Sequence, residues 1–318
     1  MNSFGTLFRV SVYGESHGPR VGALLDGVPA GIPLQEGDFT EDINRRRSGA
    51  LGTTARKESD RPHLLSGVYN GFTCGTPLCI SFENHDQRPR DYHFGKGGKG
   101  LPFRPGTADF TGSVKYKGFQ DPRGGGHFSG RLTLPLVAAG VVAKKILTLT
   151  SPQLQIRAFL TRLGGFSVLR PGPMGTVLTG QELPQAVQKM LRQAIKKGDS
   201  LGGVITCQVT GVLAGWGNPF FDSVESCLSH VVFAIPGIKG IAFGLGFEES
   251  DVTGYHNPHM GGIAGGITNG EPLTFRVAVK PTATVGGKGR HDACFALRVP
   301  IVIEAVTAVV LADLSLQP

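Results

Sequence analysis

The chain has 318 residues, of which 40% are hydrophobic, and a formal net charge of +8 at pH 7. This length allows one large domain or two ordinary ones, with enough apolar residues for a sizeable core. The charge predicts acidic partners, but the densest basic cluster is only the triplet 45–47, and aromatic residues do not alternate with basic ones. The pattern favours small polyanionic ligands over nucleic acid, which stays open as the alternative partner.

Three segments alternate apolar and polar residues in the way that is typical of a strand. In chain order they are residues 8–12, 202–213 and 273–280, and the last is the clearest.

Five segments have the pattern of a helix. In chain order they are residues 36–47, 132–149, 182–197, 222–235 and 300–316. Two lysines followed by Gly198 are typical of a helix end. Asp222 and Glu225 have the spacing of a capping box at the start of the fourth helix. The fifth segment is apolar on all sides, which predicts a buried helix.

One short pattern occurs twice, as Gly-Val-Pro-Ala-Gly at 27–31 and Gly-Val-Leu-Ala-Gly at 211–215. Each copy lies between a strand pattern and a helix pattern. The repeat predicts two related halves that pack together, and chance similarity is the alternative. The irregular, glycine-rich segment of about 85–105 is too long for a rigid connector, so it predicts a flexible lid.

The spacing of the cysteines and the absence of long apolar segments predict the cellular compartment of the protein. The five cysteines have no C-x-x-C spacing, which is typical of free thiols in a reducing compartment. No signal peptide is expected from the first residues, and no run of 18 uncharged apolar residues occurs. We therefore predict a cytoplasmic protein with no membrane partner. His256 and His259 lack an accompanying acidic or cysteine cluster, so no metal site is predicted.

A glycine-rich turn runs from Arg123 to Arg131 and leads into the second predicted helix. Its three consecutive glycines, 124–126, leave backbone N–H groups unshielded, and the helix start adds a positive dipole end. The two arginines add fixed charge. Such a turn suits a phosphate or another anion, and a flexible turn before a buried helix is the alternative.

A second motif, Gly14-Glu15-Ser16-His17-Gly18, follows the first predicted strand. His17 can exchange a proton near neutral pH, and Ser16 adds a hydroxyl beside it. A hydrogen-bonded surface histidine is the alternative interpretation. The arginines at 45–47 suit bidentate binding of carboxylate or phosphate, although at least one of them can simply complement a helix dipole.

These motifs belong to an ordered series of short strings along the chain. The strings are 8–10, 14–18, 26–32, 45–47, 53–58, 75–77, 104–106, 115–116, 123–126, 261–263, 280–282 and 289–292. In this order they resemble the chorismate synthase family over nearly the whole chain. A single string would not be specific, but so many ordered matches are.

The resemblance implies an enzyme, a carbon–oxygen lyase that removes phosphate and a C6 hydrogen from 5-enolpyruvylshikimate-3-phosphate to give chorismate. It implies reduced FMN as the cofactor, without net redox change, and NADPH or a separate partner as the source of electrons. It also implies an α+β fold, in which residues 1–318 form a single-domain, layered β-α-α-β sandwich with an internal two-fold repeat. Family members assemble as homotetramers.

The resemblance also assigns roles to single residues. By position, His17 resembles the histidine that protonates the departing phosphate, and Ser16 with Asp292 resembles a relay at the flavin. Three arginines resemble clamps for the substrate anions: Arg46, Arg104 and Arg131. A larger set is implied to bind the flavin: His127, Phe128, Ser129, Pro236, Gly237, Gly265, Lys280, Pro281, Thr282, Ala283, Thr284 and Arg290.

Some positions depart from the family pattern. Thr107 occupies the catalytic position of a second histidine, and a threonine cannot supply a proton near pH 7. His127 replaces an arginine, and Pro236-Gly237 replaces Asn-Ala. The segments before His256 and between residues 284 and 289 are shorter than usual. These departures leave, as the alternative function, an FMN-binding homologue with weakened or lost catalysis.

Overall fold

The structure of the chain, a computed structural model, describes residues 1–87, 103–168, 182–256, 260–283 and 291–317. These residues contain two five-stranded antiparallel sheets. The first has the spatial order β1 (Ser3–Phe4), β2 (Arg9–Gly14), β3 (Arg20–Asp26), β7 (Leu78–Glu83), β4 (His63–Ser66). The second has the order β11 (Ile238–Phe243), β14 (Leu273–Val279), β10 (Gly203–Thr210), β8 (Gln155–Leu163), β9 (Phe166–Ser167). Two hairpins complete the described strands: β5 (Val68–Tyr69) with β6 (Phe72–Thr73), and β12 (Ile263–Ala264) with β13 (Ile267–Thr268).

Two long helices fill the space between the two sheets. The helices of the described residues are α1 (Thr40–Arg46), α2 (Asp109–Lys115), α3 (Thr133–Thr150), α4 (Gln185–Lys197), α5 (Val224–Val232) and α6 (Val299–Ser315). Helix α3 packs along α6, while α3 also contacts β3 of the first sheet and α6 contacts β8 of the second. The layers therefore run sheet, helix, helix, sheet, which confirms the predicted β-α-α-β sandwich of the α+β class.

Small residues explain how closely the two central helices approach each other. A Cβ atom on Gly140 of α3 would lie 2.4 Å from the Cβ of Ala305 in α6. Any side chain at position 140 would therefore push the helices apart. The buried apolar residues of both sheets and both helices form one hydrophobic core, which supports the proposal that residues 1–318 form a single domain.

Two helical segments are long and apolar enough to cross a membrane by composition alone, Gly130–Thr150 and Phe295–Ser315. In each, however, most of the apolar window is buried inside the protein, 72% and 83% respectively. This burial is typical of the central helices of a folded core, and it agrees with the prediction that residues 300–316 form a buried helix.

The predicted elements exist, but some of their ends differ. The three predicted strands are confirmed as β2, β10 and β14. The first predicted helix is a 3₁₀ turn, Glu36–Phe39, that continues into α1. The capping prediction for Asp222 is wrong, because Ser223 precedes α5 and its Oγ accepts a hydrogen bond from the N–H of Ser226 at 3.1 Å. Gly198 ends α4 at a φ of +65°, as its position predicts.

The repeated pattern occupies matching places in the two sheets. Segment 27–31 follows β3 and segment 211–215 follows β10, and each of these strands is the middle strand of its sheet. Each segment also precedes a helix, α1 or α5. These matching positions support the two related halves that the repeat predicts. Of the predicted lid, residues 88–102 lie outside the described residues.

A buried carboxylate joins four elements in the helical layers. Glu304 of α6, with a side chain only 3% exposed, accepts a hydrogen bond of 2.7 Å from Arg45 of α1 at each oxygen. Its Oε1 also accepts the backbone N–H of Ala158 in β8 at 2.9 Å, and the Nζ atom of Lys144 in α3 lies 3.8 Å from Oε2. Glu304 therefore connects α1, α3, α6 and β8.

The Glu304→Gln variant is expected to lower the free energy of unfolding by roughly 3 kcal/mol, because Arg45 then loses its nearer charged partner and keeps only Asp42, whose Oδ1 lies 3.8 Å from its Nη1. Urea unfolding followed by circular dichroism measures the loss. Glu41→Gln, at an exposed position of the same helix α1, is the control and is expected to change the free energy by less than about 0.5 kcal/mol. Equal effects of the two variants would contradict a stabilising role for Glu304.

Candidate active site

A cavity of about 1030 Å³ lies at the edge of the helical layers. Its wall is built by several loops together with the start of the chain and part of α5: residues 1–4, 46–60, 104–109, 124–132, 230–237, 280–283 and 291–298. The volume is at the upper end of the range for ligand sites, about 300–1,000 Å³. The cavity is therefore large enough for more than one small ligand.

The wall of the cavity is positively charged on balance. Eight arginine or lysine residues line it against four aspartate or glutamate residues, counted among the described residues. A lining of this kind raises the local concentration of anions and speeds their binding. The remaining wall includes apolar side chains, among them Val10, Leu132, Leu136, Phe233 and Val306. The cavity thus suits ligands that combine anionic groups with an apolar or planar part.

The three consecutive glycines adopt a backbone that other residues rarely take. Gly124, Gly125 and Gly126 have φ values of +62°, +83° and +53° within the turn Arg123–Phe128. Two of them also leave no room for a side chain, because a Cβ atom on Gly126 would lie 2.0 Å from the carbonyl oxygen of Asp121. The other is Gly124, which lies against the second predicted motif. The helix start that we predicted directly after the glycines is instead preceded by the 3₁₀ turn Gly130–Leu132.

The predicted catalytic residues His17 and Ser16 lie directly behind Gly124. A Cβ atom at position 124 would be 2.3 Å from Nδ1 of His17 and 2.8 Å from Oγ of Ser16. Both side chains are buried, at 4% and 2% exposure for the whole residues, while Gly124 itself lines the cavity. Gly124, a lining residue without a side chain, therefore lies directly against these two buried polar groups.

Gly124→Ala is expected to lower turnover about a hundredfold, because the new methyl group must displace His17, and a shift of about 1 Å can cost this much. Gly118→Ala is the matched control, since Gly118 has a similar φ of +79° but no atom within 4 Å of the new Cβ. Steady-state turnover of the two variants measures the difference. Equal losses in both would show that backbone strain, and not contact with His17, is responsible.

Arg56 holds Ser16 from the other side. Its Nη1 donates to Oγ of Ser16 at 3.1 Å and its Nη2 donates to the Ser16 carbonyl oxygen at 3.0 Å. The guanidinium is fixed in turn by Glu58, whose Oε1 accepts from Nε at 3.0 Å and from Nη2 at 2.7 Å. The backbone N–H of Ser16 donates to the Gly126 carbonyl at 3.0 Å. Ser16 is therefore held at both backbone polar atoms and at its hydroxyl oxygen.

Two of the predicted anion-binding arginines are buried and share one carboxylate. Arg131 donates from Nη1 to Oδ1 of Asp60, and Nη1 of Arg46 lies 3.6 Å from Oδ2 of the same carboxylate. Burial raises the pKa of the Asp60 carboxyl, but the charges of Arg131 and Arg46 outweigh it and hold the pKa below its ordinary value. Asp60 is therefore ionised at neutral pH and keeps the two guanidinium groups together.

Arg46 is almost completely buried at the end of α1. Its Nε donates to Oγ1 of Thr133 at 3.0 Å, and its Nη2 donates to the Gly130 carbonyl at 3.1 Å. Burial, followed by the nearby charge of Arg298, places the pKa of Arg46 well below its ordinary value. Arg298 also donates from Nε to the Arg46 carbonyl at 2.9 Å. The guanidinium of Arg46 is thus held in the cavity wall by Thr133, the backbone of the Gly130 turn and Asp60.

Asn84 connects Arg131 to the loop that carries His17. Its Oδ1 accepts from Nε of Arg131 at 2.9 Å, and its Nδ2 donates to the carbonyl oxygens of Gly18 at 2.8 Å and Glu15 at 3.1 Å. The predicted proton donor and a predicted anion clamp are therefore parts of one hydrogen-bonded unit.

Asp292 and Ser16, the predicted relay, are connected through the segment 54–56. Oδ1 of Asp292 accepts the backbone N–H of Thr54 at 2.7 Å, and Arg56 binds Ser16 two residues later. Arg298 donates to Oδ2 of Asp292 at 3.2 Å. Asp292 lines the cavity, whereas Ser16 is buried behind the cavity-lining Gly124.

Arg104 and Thr107 lie together on another side of the cavity. Arg104 forms a bidentate pair with Asp109, from Nε and Nη2 at 2.8 Å each. Burial raises the pKa of the Asp109 carboxyl, but its hydrogen bonds from Arg104 hold it below the ordinary value. Thr107 donates its hydroxyl hydrogen to the Arg104 carbonyl at 2.8 Å. Arg104 is therefore pre-oriented, and the threonine hydrogen is already used within the loop.

Most residues of the predicted flavin set line the same cavity: His127, Phe128, Ser129, Pro236, Gly237, Lys280, Pro281, Thr282 and Ala283. Gly265 does not, because it belongs to the turn between β12 and β13. Thr284 and Arg290 lie outside the described residues. His127 interacts through Nδ1 with the Gly14 carbonyl at 2.9 Å and through Nε2 with Oδ1 of Asn2 at 3.1 Å.

Three polar residues that organise this site are not predicted from the sequence: Asp60, Asn84 and Arg298. Each acts through a partner that is distant in the chain or through a backbone atom, so no local pattern indicates it. Asp60 has one weak signal in the sequence, because it lies two residues after the matched string 53–58.

Comparison with known proteins identifies the family of this chain. A family model described as chorismate synthase matches residues 8–316. A curated chorismate synthase from Chitinophaga pinensis is 50% identical over 347 aligned positions, which cover 99% of this chain and 97% of the relative. Another from Dehalococcoides mccartyi is 37% identical, with coverage of 99% and 97%.

A solved structure also resembles this fold. A crystal structure of chorismate synthase gives a TM-score of 0.74 at 26% sequence identity, and the match covers 98% of this chain and 92% of the other. Sequence and fold thus point to the same family, and both do so over almost the full length. The chain belongs to the chorismate synthase family.

Proposed function

We propose that this protein is a chorismate synthase that converts 5-enolpyruvylshikimate-3-phosphate into chorismate and phosphate with reduced FMN bound in the same cavity. The main support is that the buried His17 lies directly against Gly124, and that Gly124 lines the same cavity as Arg46, Arg104 and Arg131. Nine of the twelve residues predicted to bind flavin line this cavity as well.

The residues around the cavity suit FMN. Apolar side chains such as Leu132 and Leu136 offer a surface for a planar ring, and Lys280 with the backbone of 281–283 offers a cation and polar atoms for a phosphate-bearing chain. When bound, reduced FMN supplies the electron density that the loss of phosphate requires, without net oxidation. The protein itself contributes binding, orientation and proton control.

The arginines bind and orient the substrate. It carries one phosphate and two carboxylates, and the excess of cations in the wall attracts and partly neutralises them. The guanidinium groups of Arg46 and Arg131 are held in place before any ligand arrives, by Asp60, Thr133 and Asn84. Because they need not reorganise, more of their interaction energy is available for the transition state.

His17 protonates the departing phosphate. The elimination breaks the bond from carbon to the phosphate oxygen, and the oxygen leaves with the bonding electron pair. A proton from the imidazole lowers the charge that develops on this oxygen, and histidine can both give and regain a proton near neutral pH. Burial of His17 and Ser16 limits the access of water, so that the electrostatic interactions are stronger than in solution.

The anaerobic release of phosphate tests this function. Purified protein, dithionite-reduced FMN and 5-enolpyruvylshikimate-3-phosphate are expected to yield phosphate and chorismate in equal amounts. If the protein binds FMN but releases no phosphate, the alternative applies, an FMN-binding homologue in which Thr107 has weakened or abolished catalysis. Tight DNA binding with a steep dependence on salt, without phosphate release, would favour the nucleic-acid-binding alternative.

We also propose a cytoplasmic homotetramer. Several large apolar side chains are almost fully exposed on the single chain, including Phe220, Phe221, Phe247 and Tyr255. Exposed apolar groups of this size are typical of interfaces between subunits. Light scattering on the purified protein measures the mass of the assembly, and a monomeric mass would contradict the proposal.

A further inference from the structure

Arg56 lies between the cavity and the buried hydroxyl of Ser16. Its side chain lines the cavity and reaches past the cavity wall to bind both oxygens of Ser16. Its own position is fixed by Glu58, which is further held by the backbone N–H groups of His85 at 2.9 Å and Asp86 at 3.2 Å. Arg56 is therefore a rigid cation aimed at a buried hydroxyl.

The hydrogen bond between Arg56 and the Ser16 hydroxyl can have only one donor. A guanidinium has donors and no acceptor, and it stays protonated at any physiological pH. Oγ of Ser16 must therefore accept the hydrogen bond from Arg56, and the hydroxyl hydrogen of Ser16 must point to a different acceptor. The nearby positive charge also makes that hydroxyl a stronger donor.

The position of Ser16 limits where this acceptor can lie. The backbone N–H and the carbonyl of Ser16 are already paired with Gly126 and Arg56, and Oγ lies against Gly124, the residue that lines the cavity. Two residues that line the cavity, Arg56 and Gly124, therefore lie directly beside this buried hydroxyl.

We propose that Arg56 is a positioning residue that directs the hydroxyl hydrogen of Ser16 toward an acceptor atom of a ligand in the cavity. The proposal rests on the proposed function for the identity of the ligands, but not for the coupling of Arg56 to Ser16. Part of the effect of Arg56 runs through the Ser16 hydroxyl, so removing Arg56 has a smaller effect once the hydroxyl is absent; the charge at the cavity and the bond to the Ser16 carbonyl do not depend on it.

A double-mutant cycle tests this coupling. Arg56→Met, Ser16→Ala and the double variant are compared with the wild type in two measurements, the dissociation constant of oxidised FMN by fluorescence and the anaerobic kcat. We expect Arg56→Met to weaken FMN binding or to lower kcat by about tenfold, the size of one lost hydrogen bond to a charged or strongly polarised group. In the Ser16→Ala background the same substitution is expected to change the same quantity by clearly less than about tenfold, because only the bond to the Ser16 carbonyl and the charge of Arg56 remain to be lost.

Two further variants control for structural effects. Arg56→Lys keeps a cation that only donates, so it is expected to recover part of the loss, and it replaces Arg56→Met in the cycle should the latter fail to fold. Arg61→Met is the matched control, because the Arg61 side chain is 72% exposed and pairs only at the surface with Glu36 at 3.2 Å. It is expected to leave both quantities unchanged.

The outcomes separate this inference from the proposed function. The inference is overturned if the Arg56 substitution changes the FMN dissociation constant and kcat by the same factors with and without the Ser16 hydroxyl. It is also overturned if the substitution changes neither quantity. A wild-type protein that releases no phosphate would overturn the proposed function alone, since FMN binding still reports whether Arg56 and Ser16 are coupled.

Discussion

The His17→Ala variant is expected to release phosphate at least about a hundredfold more slowly than the wild type, and the loss of a general acid can reach about ten-thousandfold. The imidazole is the group in the wall behind Gly124 that can exchange a proton near neutral pH. Without it, the phosphate must leave with its full developing charge. The arginines remain in place, so we expect kcat to fall much more than substrate affinity.

Anaerobic single-turnover kinetics with reduced FMN measure this effect apart from product release. His63→Ala is a suitable control, because His63 lies on β4, is half-buried and does not line the cavity. Its turnover is expected to match the wild type. Unchanged turnover in His17→Ala would remove His17 from the mechanism, whereas a weaker binding of substrate at constant kcat would make it a binding residue only.

The second large effect is expected at Asp60. Asp60→Asn should lower the free energy of unfolding by roughly 3–5 kcal/mol, because it leaves the buried guanidinium of Arg131 without its charged partner. Asparagine keeps the shape of the side chain and tolerates the φ of +48° at this position, so the variant isolates the charge. The same change should raise the KM for the substrate, since Arg131 and Arg46 lose their common anchor.

The contribution of Asp60 depends on pH in a defined direction. The folded-state pKa of this carboxyl is below its unfolded value, close to 3.8. The carboxylate therefore stabilises the fold at pH values above the unfolded pKa, and this stabilisation is lost as the pH falls through the lower folded-state pKa. Urea unfolding at pH 7 and at pH 3 is expected to show a smaller difference between wild type and Asp60→Asn at the lower pH.

A surface ion pair provides the control for this experiment. Glu36→Gln removes a carboxylate that pairs with the exposed Arg61, and we expect a loss of less than about 1 kcal/mol. If Asp60→Asn is no more destabilising than Glu36→Gln at pH 7, Asp60 does not hold the arginines together in the way described.

Local patterns predicted much of the fold. The apolar run at 300–316 became α6 because a helix with no polar face can only be buried between other layers. Gly198 ends α4 because the left-handed conformation there costs glycine little. The start of α5 was less predictable. Asp222 and Ser223 are both good N-capping residues, and the choice between them depends on how the chain enters the helix.

The site was predictable only in part, for a physical reason. The strings around His17, Arg46 and Arg131 carry their chemistry in the local sequence, and the fold brings them to one cavity. Their partners act over long distances in the chain: Asp60 pairs with Arg131 across 71 residues, and Arg56 binds Ser16 across 40. Such pairs depend on how the sheets and helices pack, and no spacing rule within one sequence indicates them.

The most direct test of the account is the crystal structure of the protein with oxidised FMN and 5-enolpyruvylshikimate-3-phosphate. We expect both ligands in the cavity of about 1030 Å³, with a phosphate oxygen about 3 Å from a ring nitrogen of His17. Contacts between the substrate anions and Arg46, Arg104 or Arg131 should accompany this arrangement. A structure in which the phosphate binds away from His17, or in which either ligand lies outside the cavity, would contradict the account.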